Sequence, residues 1–122
     1  MDSRHKKRIQ IVQNLYATSF QKDNNVKLPH KNLQAITKEI LLNQISIDEH
    51  IKRHAPKYPL DKIARTDLGI LRLALYELTI EKKEPTKVII NEAVELAKEL
   101  GNERSYAFVN AVLGSIVKDN NL

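Results

Sequence analysis

Five of the first eight residues, Arg4-His5-Lys6-Lys7-Arg8, carry or can carry positive charge, and only Asp2 opposes them. Guanidinium forks and ammonium groups in such a run suit phosphate oxygens, so the chemistry on offer is capture of a polyanion. If the run forms the first turn of a helix, its cations face the positive end of the helix dipole. That arrangement costs roughly a few tenths of a kcal/mol. Helix stability therefore does not explain the run, whereas phosphate binding does, with free amides at the helix start adding further donors. An ordinary solvated chain end is the competing explanation.

The remaining reactive groups offer less. His50 and His54 are four apart and fit one helical face, but neither they nor His5 and His30 belong to a recognised zinc motif. No metal site is expected. Glu92, Glu95 and Glu99 share one helix; with Lys98 beside them they read as a solvated acidic side, not as an acid–base pair with separated pKa values. Asn91 and Asn110 each interrupt an apolar helical stretch, either as satisfied internal amides or as ligand contacts. No glycine-rich phosphate loop, serine elbow or nucleophile–base set occurs, and no cysteine is present. No catalytic residue is assigned, no cofactor is implied, and an enzyme is not expected.

The elements that must position the basic run come from the apolar pattern. The chain has 122 residues, 42% of them hydrophobic and 29% charged, a balance that suits one folded domain. Net charge is +5, which favours anionic partners without naming one. No run is long enough to cross a bilayer, and no clean apolar stretch or cleavage site follows the basic start, so neither a membrane nor a secretory role is expected. A cytoplasmic setting fits the absence of cysteine.

Ile9, Val12, Tyr16 and Phe20, widened by Ile11 and Leu15, predict a first helix with a core-facing stripe, ended by Asp23-Asn24-Asn25. Leu33, Ile36, Ile40 and Leu41 predict a second over about 31–42. Ser46-Ile47-Asp48-Glu49 has the form of a capping box for a third, which stops before Pro56. From Leu68 to Leu78 apolar residues face nearly every direction, marking a central helix for which Thr66 is the expected cap and Gly69 a cost of ~1 kcal/mol. Pro85 and Thr86 introduce a helix carried by Ile89, Ala93, Leu96 and Leu100 and ended by Gly101 in the left-handed conformation. Asn102 caps the last helix, with Tyr106, Val109, Val112, Leu113, Ile116 and Val117 towards the core. The expected fold is all-α: a compact bundle of six or seven short helices in one domain over 1–122, with an N-terminal half to about 54 and a C-terminal half over 55–122.

Three stretches carry a likeness to a known family. "LGILRLALYEL", "EPTKVIINEAVELAKELG" and "SYAFVNAVLGSI", with the start "RHKKRIQIVQNLY", resemble the NusB family of bacterial transcription antitermination factors. The resemblance is dense from about Ile63 to Ile116, resumes at the N-terminus and is loose over 21–54. It implies a helical fold in two subdomains that binds boxA-type single-stranded RNA together with NusE, a small-subunit ribosomal protein, and joins the RNA polymerase elongation complex.

By position, the resemblance assigns Arg4, His5, Lys6, Arg8 and Phe108 to RNA and Tyr16 and Glu77 to the protein partner. Arg72 belongs to the same characteristic stretch, where an internal salt bridge is the alternative role. His5 stands where arginine is usual, and Ala111 where glycine commonly follows Phe-Val-Asn. Homodimerisation stays open. Two alternatives stand beside this reading: a helical protein-interaction module without specific RNA recognition, and the RNA-recognition domain of an RNA methyltransferase. The second is disfavoured by the lack of a Rossmann-like segment in these residues.

Overall fold

The computed structural model describes residues 2–20 and 27–122. Among the described residues six α-helices follow one another: α1 (Ser3–Thr18), α2 (Gln34–Leu42), α3 (Gln44–His54), α4 (Arg65–Tyr76), α5 (Thr86–Leu100) and α6 (Ser105–Asp119). Short 3-10 turns at Lys31–Leu33 and Leu60–Lys62 lead towards α2 and α4. A π turn, Glu77–Glu81, extends α4 and ends at Lys82, whose φ of 53° places it in the left-handed region. No described residue is in a strand.

The central position of α4 follows from its composition. Every residue from Leu68 to Tyr76 except Arg72 is buried, so the helix has almost no solvent face. Around it pack α1, α2, α3, α5 and α6. Ile70, Leu71 and Leu75 are fully enclosed at its centre, meeting Val12 of α1, Ile47 and Ile51 of α3, Ile89 and Leu96 of α5, and Leu113 and Ile116 of α6 in one continuous cluster. The α5–α6 pair forms a helical hairpin through the four-residue link between Leu100 and Ser105, with the most extensive packing of any two elements.

Several local expectations are corrected. The first helix ends at Thr18, and Phe20 is 55% exposed instead of continuing the core stripe; the stop expected at Asp23–Asn25 lies outside the described residues. Ser46 does not open α3: that helix starts at Gln44, and the Ser46 hydroxyl donates to the Asn43 carbonyl at 3.1 Å. Thr66 is likewise inside α4, which begins at Arg65 after an uncapped Ala64. Tyr106 is 45% exposed and does not join the core.

Gly101 stops α5 by another route. Its φ of −94° and ψ of −165° are extended, open to any residue, so the left-handed conformation is not what demands glycine. Space is: a Cβ there would lie 2.5 Å from Ser105 Cβ and 2.8 Å from the Ala97 carbonyl oxygen. Asn102 then acts just ahead of α6, where its side chain accepts from the Arg104 amide at 2.8 Å and its own amide donates to Ser105 Oγ at 3.0 Å.

Candidate nucleic-acid interface

The basic run does form the opening of α1. Asp2 caps it by accepting from the Arg4 amide at 3.0 Å, supplying the negative charge that the first turn itself lacks. The helix then divides the run between two environments. Arg4, Lys6 and Lys7 point to solvent; Arg4 touches Glu84 at 3.3 Å with its side chain still 70% exposed, a pairing that leaves the guanidinium available. His5 and Arg8 turn towards the protein.

His5 lies between two carboxylates of α5. Its Nδ1 is 2.7 Å from Glu92 Oε2 and its Nε2 is 2.7 Å from Glu99 Oε1. A ring nitrogen facing a carboxylate must donate, and here both do, which describes an imidazolium. The Glu92 hydrogen bond raises the His5 pKa above its ordinary 6.5; burial opposes this and Glu99 reinforces it. Glu92 and Glu99, seven residues apart, therefore form a clamp that fixes the first turn of α1 on α5. They do not form the solvated acidic side expected from sequence. The spacing was a usable signal, but its cationic partner lies 87 residues away from Glu92 in the chain.

Arg8 was expected among the phosphate contacts and Glu77 at the protein-docking surface. Both are buried, 8% and 7% exposed. Arg8 Nε and Nη2 donate to the two Glu77 carboxylate oxygens at 3.1 and 2.8 Å, and Nη1 lies 3.6 Å from Glu92. The π turn begins at Glu77 and so presents this carboxylate at the end of the central helix. Each partner satisfies the other's buried charge.

Arg72 shows the same device elsewhere: its Nε and Nη2 donate to Asp48 at 2.9 Å each, tying α4 to α3. This is the internal salt bridge considered from sequence. A further buried group had no sequence signal. Asn14, fully enclosed on α1, donates to the His30 carbonyl at 2.9 Å and to Thr37 Oγ1 at 3.1 Å, and accepts from the His30 amide at 2.9 Å. Both ends of the amide are thereby engaged, which pins the approach to α2.

The aromatic residues fall into separate places. Tyr16 is 43% exposed, its ring 4.8 Å from that of Phe20 in an edge-on contact, with the Arg65 guanidinium 4.0 Å above Phe20. Phe108 is half-buried and meets Tyr58 edge-on at 5.5 Å; its ring contact is with the link between α3 and α4, not with the basic turn. The structure thus brings Arg4, His5, Lys6 and Lys7 together on one helix end and leaves Phe108 in a different set of contacts.

His50 and His54 also part company. His54 turns to α6, with Nδ1 2.8 Å from Ser115 Oγ and Nε2 3.3 Å from Asp119. Among the described residues no group of three or more His, Cys, Asp or Glu side chains gathers as metal ligands would. No described helix is long and apolar enough to cross a membrane.

Comparison with known proteins decides the relationship. Residues 3–118 match the NusB family. The chain belongs to that family. Transcription antitermination protein NusB of Campylobacter concisus (strain 13826) is 37% identical over 131 residues, covering 98% of this chain and 99% of that protein. The NusB protein of Clostridium tetani (strain Massachusetts / E88) is 46% identical over 76 residues, 62% of this chain and 50% of that protein. Among solved structures, T. maritima NusB superposes with a TM-score of 0.79 at 30% identity, covering 97% of this chain and 92% of that one. A structure described as antitermination factors NusB and NusE in complex with dsRNA shares the fold, with a TM-score of 0.75 at 24% identity over 97% of this chain and 99% of that one. The NusB family comprises non-catalytic transcription regulators, and the all-helical bundle expected from sequence is the family's fold.

Proposed function

We propose that this protein is a non-catalytic transcription antitermination factor that binds boxA-type single-stranded RNA together with NusE and acts on the RNA polymerase elongation complex in the cytoplasm. The observation that carries this reading is the opening turn of α1. Arg4, Lys6 and Lys7 are exposed at a helix end that His5 and Arg8 hold rigidly against α5 and the π turn. Three cations on a fixed scaffold neutralise phosphates at little ordering cost. A NusB relative of the same fold is described in complex with NusE and dsRNA, which supports NusE and RNA as the partner classes.

Within this reading the basic residues have different work. Arg4 and Lys6 meet phosphate, with Lys7 beside them. His5 and Arg8 hold the turn in position. Such contacts set affinity and salt dependence; base preference in single-stranded RNA comes from stacking and edge contacts elsewhere. Phe108, half-buried and edge-on to Tyr58, is the aromatic candidate for such a contact. Tyr16, exposed beside Phe20 and Arg65, is the partner-facing residue that suits NusE, whereas Glu77 acts behind the surface through Arg8.

The test is a titration of boxA-type RNA and a scrambled strand, with and without NusE, at two salt concentrations. Tighter binding of the boxA-type strand, strengthened by NusE and weakened by salt, is expected. Equal binding of both strands under every condition removes the RNA reading. NusE binding that survives nuclease and high salt would then leave a protein-interaction module.

A further inference from the structure

The α5–α6 hairpin carries a second set of groups that the basic turn does not use. Asn91, Val94, Glu95 and Lys98 of α5 face Tyr106, Ala107 and Asn110 of α6 across a surface groove of about 620 Å³. Asn91 and Asn110 are exposed, and neither side chain makes a hydrogen bond to another described residue. Asparagine in mid-helix is a poor helix former, because its amide competes with the backbone unless something else engages it. Tyr106 leaves the core to stand 45% exposed, with Lys98 Nζ 5.5 Å from its ring centroid. An aromatic face, two unpartnered amides and a cation thus share one groove.

Those groups match the parts of a single nucleotide. A tyrosine ring stacks on a base regardless of its identity; an asparagine amide offers a donor and an acceptor to a base edge, as in its pairing with adenine; an ammonium meets phosphate. Glu95, paired with Lys98 at 3.5 Å, disfavours phosphate directly over it but accepts from an exocyclic base amine. The groove is also reachable from the basic turn. Glu92 and Glu99, which hold His5, lie about 100° around α5 from the stripe of Asn91 and Lys98, so a strand leaving the start of α1 crosses one helix to arrive.

We infer that the α5–α6 groove is a base-binding subsite for single-stranded RNA, in which Tyr106 stacks on one base, Asn91 and Asn110 bond its edge and Lys98 meets the adjoining phosphate. This rests on the RNA reading above and shifts base contact from Phe108 to the exposed face of the hairpin.

The experiment titrates the full chain with boxA-type RNA and with the same strand made abasic at each position in turn. One abasic position should weaken binding about 5- to 150-fold, the range of a lost base–aromatic stack. Tyr106→Ala should weaken binding to intact RNA by a similar factor and abolish the further loss at that position. Tyr106→Phe should retain binding, and the double variant Asn91→Ala/Asn110→Ala should flatten the preference for base identity there. All the altered residues are on the surface, and circular dichroism checks that each variant folds. If Tyr106→Ala and the double asparagine variant bind every strand as the unaltered protein does, while Arg4→Ala/Lys6→Ala weakens them all, the subsite is wrong and the RNA reading stands. If the unaltered protein does not distinguish boxA-type RNA from a scrambled strand, both fall together.

Discussion

Arg8 and Glu77, 69 residues apart in the chain, meet through two hydrogen bonds of 3.1 and 2.8 Å in a site where each is less than a tenth exposed. The pair joins α1 to the end of the central helix at the point where the π turn begins. Removing one partner leaves an uncompensated buried charge, a loss of about 3–5 kcal/mol. Arg8→Ala and Glu77→Ala should each lower the urea midpoint by a corresponding amount. The paired change Arg8→Met/Glu77→Leu should recover most of it, because two apolar side chains need no countercharge.

The surface cations behave differently. Replacing Arg4, Lys6 and Lys7 together with alanine removes three phosphate contacts without touching the core. On single-stranded RNA this should lower the slope of log affinity against log salt by about 2, with the urea midpoint nearly unchanged. Arg8→Leu supplies the contrast, since it should reduce stability while leaving the salt slope alone at temperatures where the variant remains folded. A slope that falls equally for both would place Arg8 on the phosphate path after all.

His5 links stability to pH. Its folded pKa lies above the ordinary 6.5, chiefly through Glu92, so the folded state holds the proton more tightly than the unfolded one. Its contribution is therefore fully present below about 6.5 and is lost as pH rises through the higher folded value. The groups that face it are Glu92 and Glu99 of α5, with Arg8 beside Glu92. His5→Gln should lower Tm at about pH 6 and differ little from the unaltered protein at about pH 9. A constant gap across that range would mean that the ring is held by packing and not by charge.

Two glycines should respond with opposite sign. A Cβ at Gly69 would meet Leu15 and Val12 at 3.7 Å, ordinary contact distance, so Gly69→Ala should stabilise by up to about 1 kcal/mol through helix propensity. At Gly101 the same methyl collides with Ser105 and the Ala97 carbonyl, and Gly101→Ala should cost about 1–3 kcal/mol as overpacking does. Thermal unfolding of the two variants measures both.

Asp67 is a buried carboxylate, 6% exposed, with Oδ1 lacking a hydrogen-bond partner. Burial raises its pKa above 3.8, and a hydrogen bond from Ser105 only partly opposes this. The folded state thus favours the protonated form, and stability falls as pH rises through the raised value. Asp67→Asn should raise Tm near neutrality, and the gain should shrink at about pH 3.

How much of this was legible in the sequence depended on whether a signal was local or long-range. The central helix was readable at Leu68–Leu78 because apolar residues on all sides leave a helix nowhere to go but the middle. The stripe Ile89, Ala93, Leu96 and Leu100 was readable because helical spacing repeats within a few turns; the first three are buried and Leu100 packs partly buried against the core. The helix starts at Ser46 and Thr66 misled because a serine or threonine before an apolar run has the form of a cap whether or not the backbone bends there. Tyr106 misled because spacing assigns a face without saying where the neighbouring helix ends.

The sequence by itself determined the helical class, the family and the concentration of cations at the start of α1, since composition, periodicity and motif are properties of neighbouring residues. Tertiary structure alone decided which of those cations remain available. Arg4, Lys6 and Lys7 stay in water, while His5 and Arg8 are drawn to Glu92, Glu99 and Glu77. The physical reason is that these two side chains leave water against carboxylates held in fixed geometry, and those carboxylates come from elements far along the chain, assembled only by packing around α4.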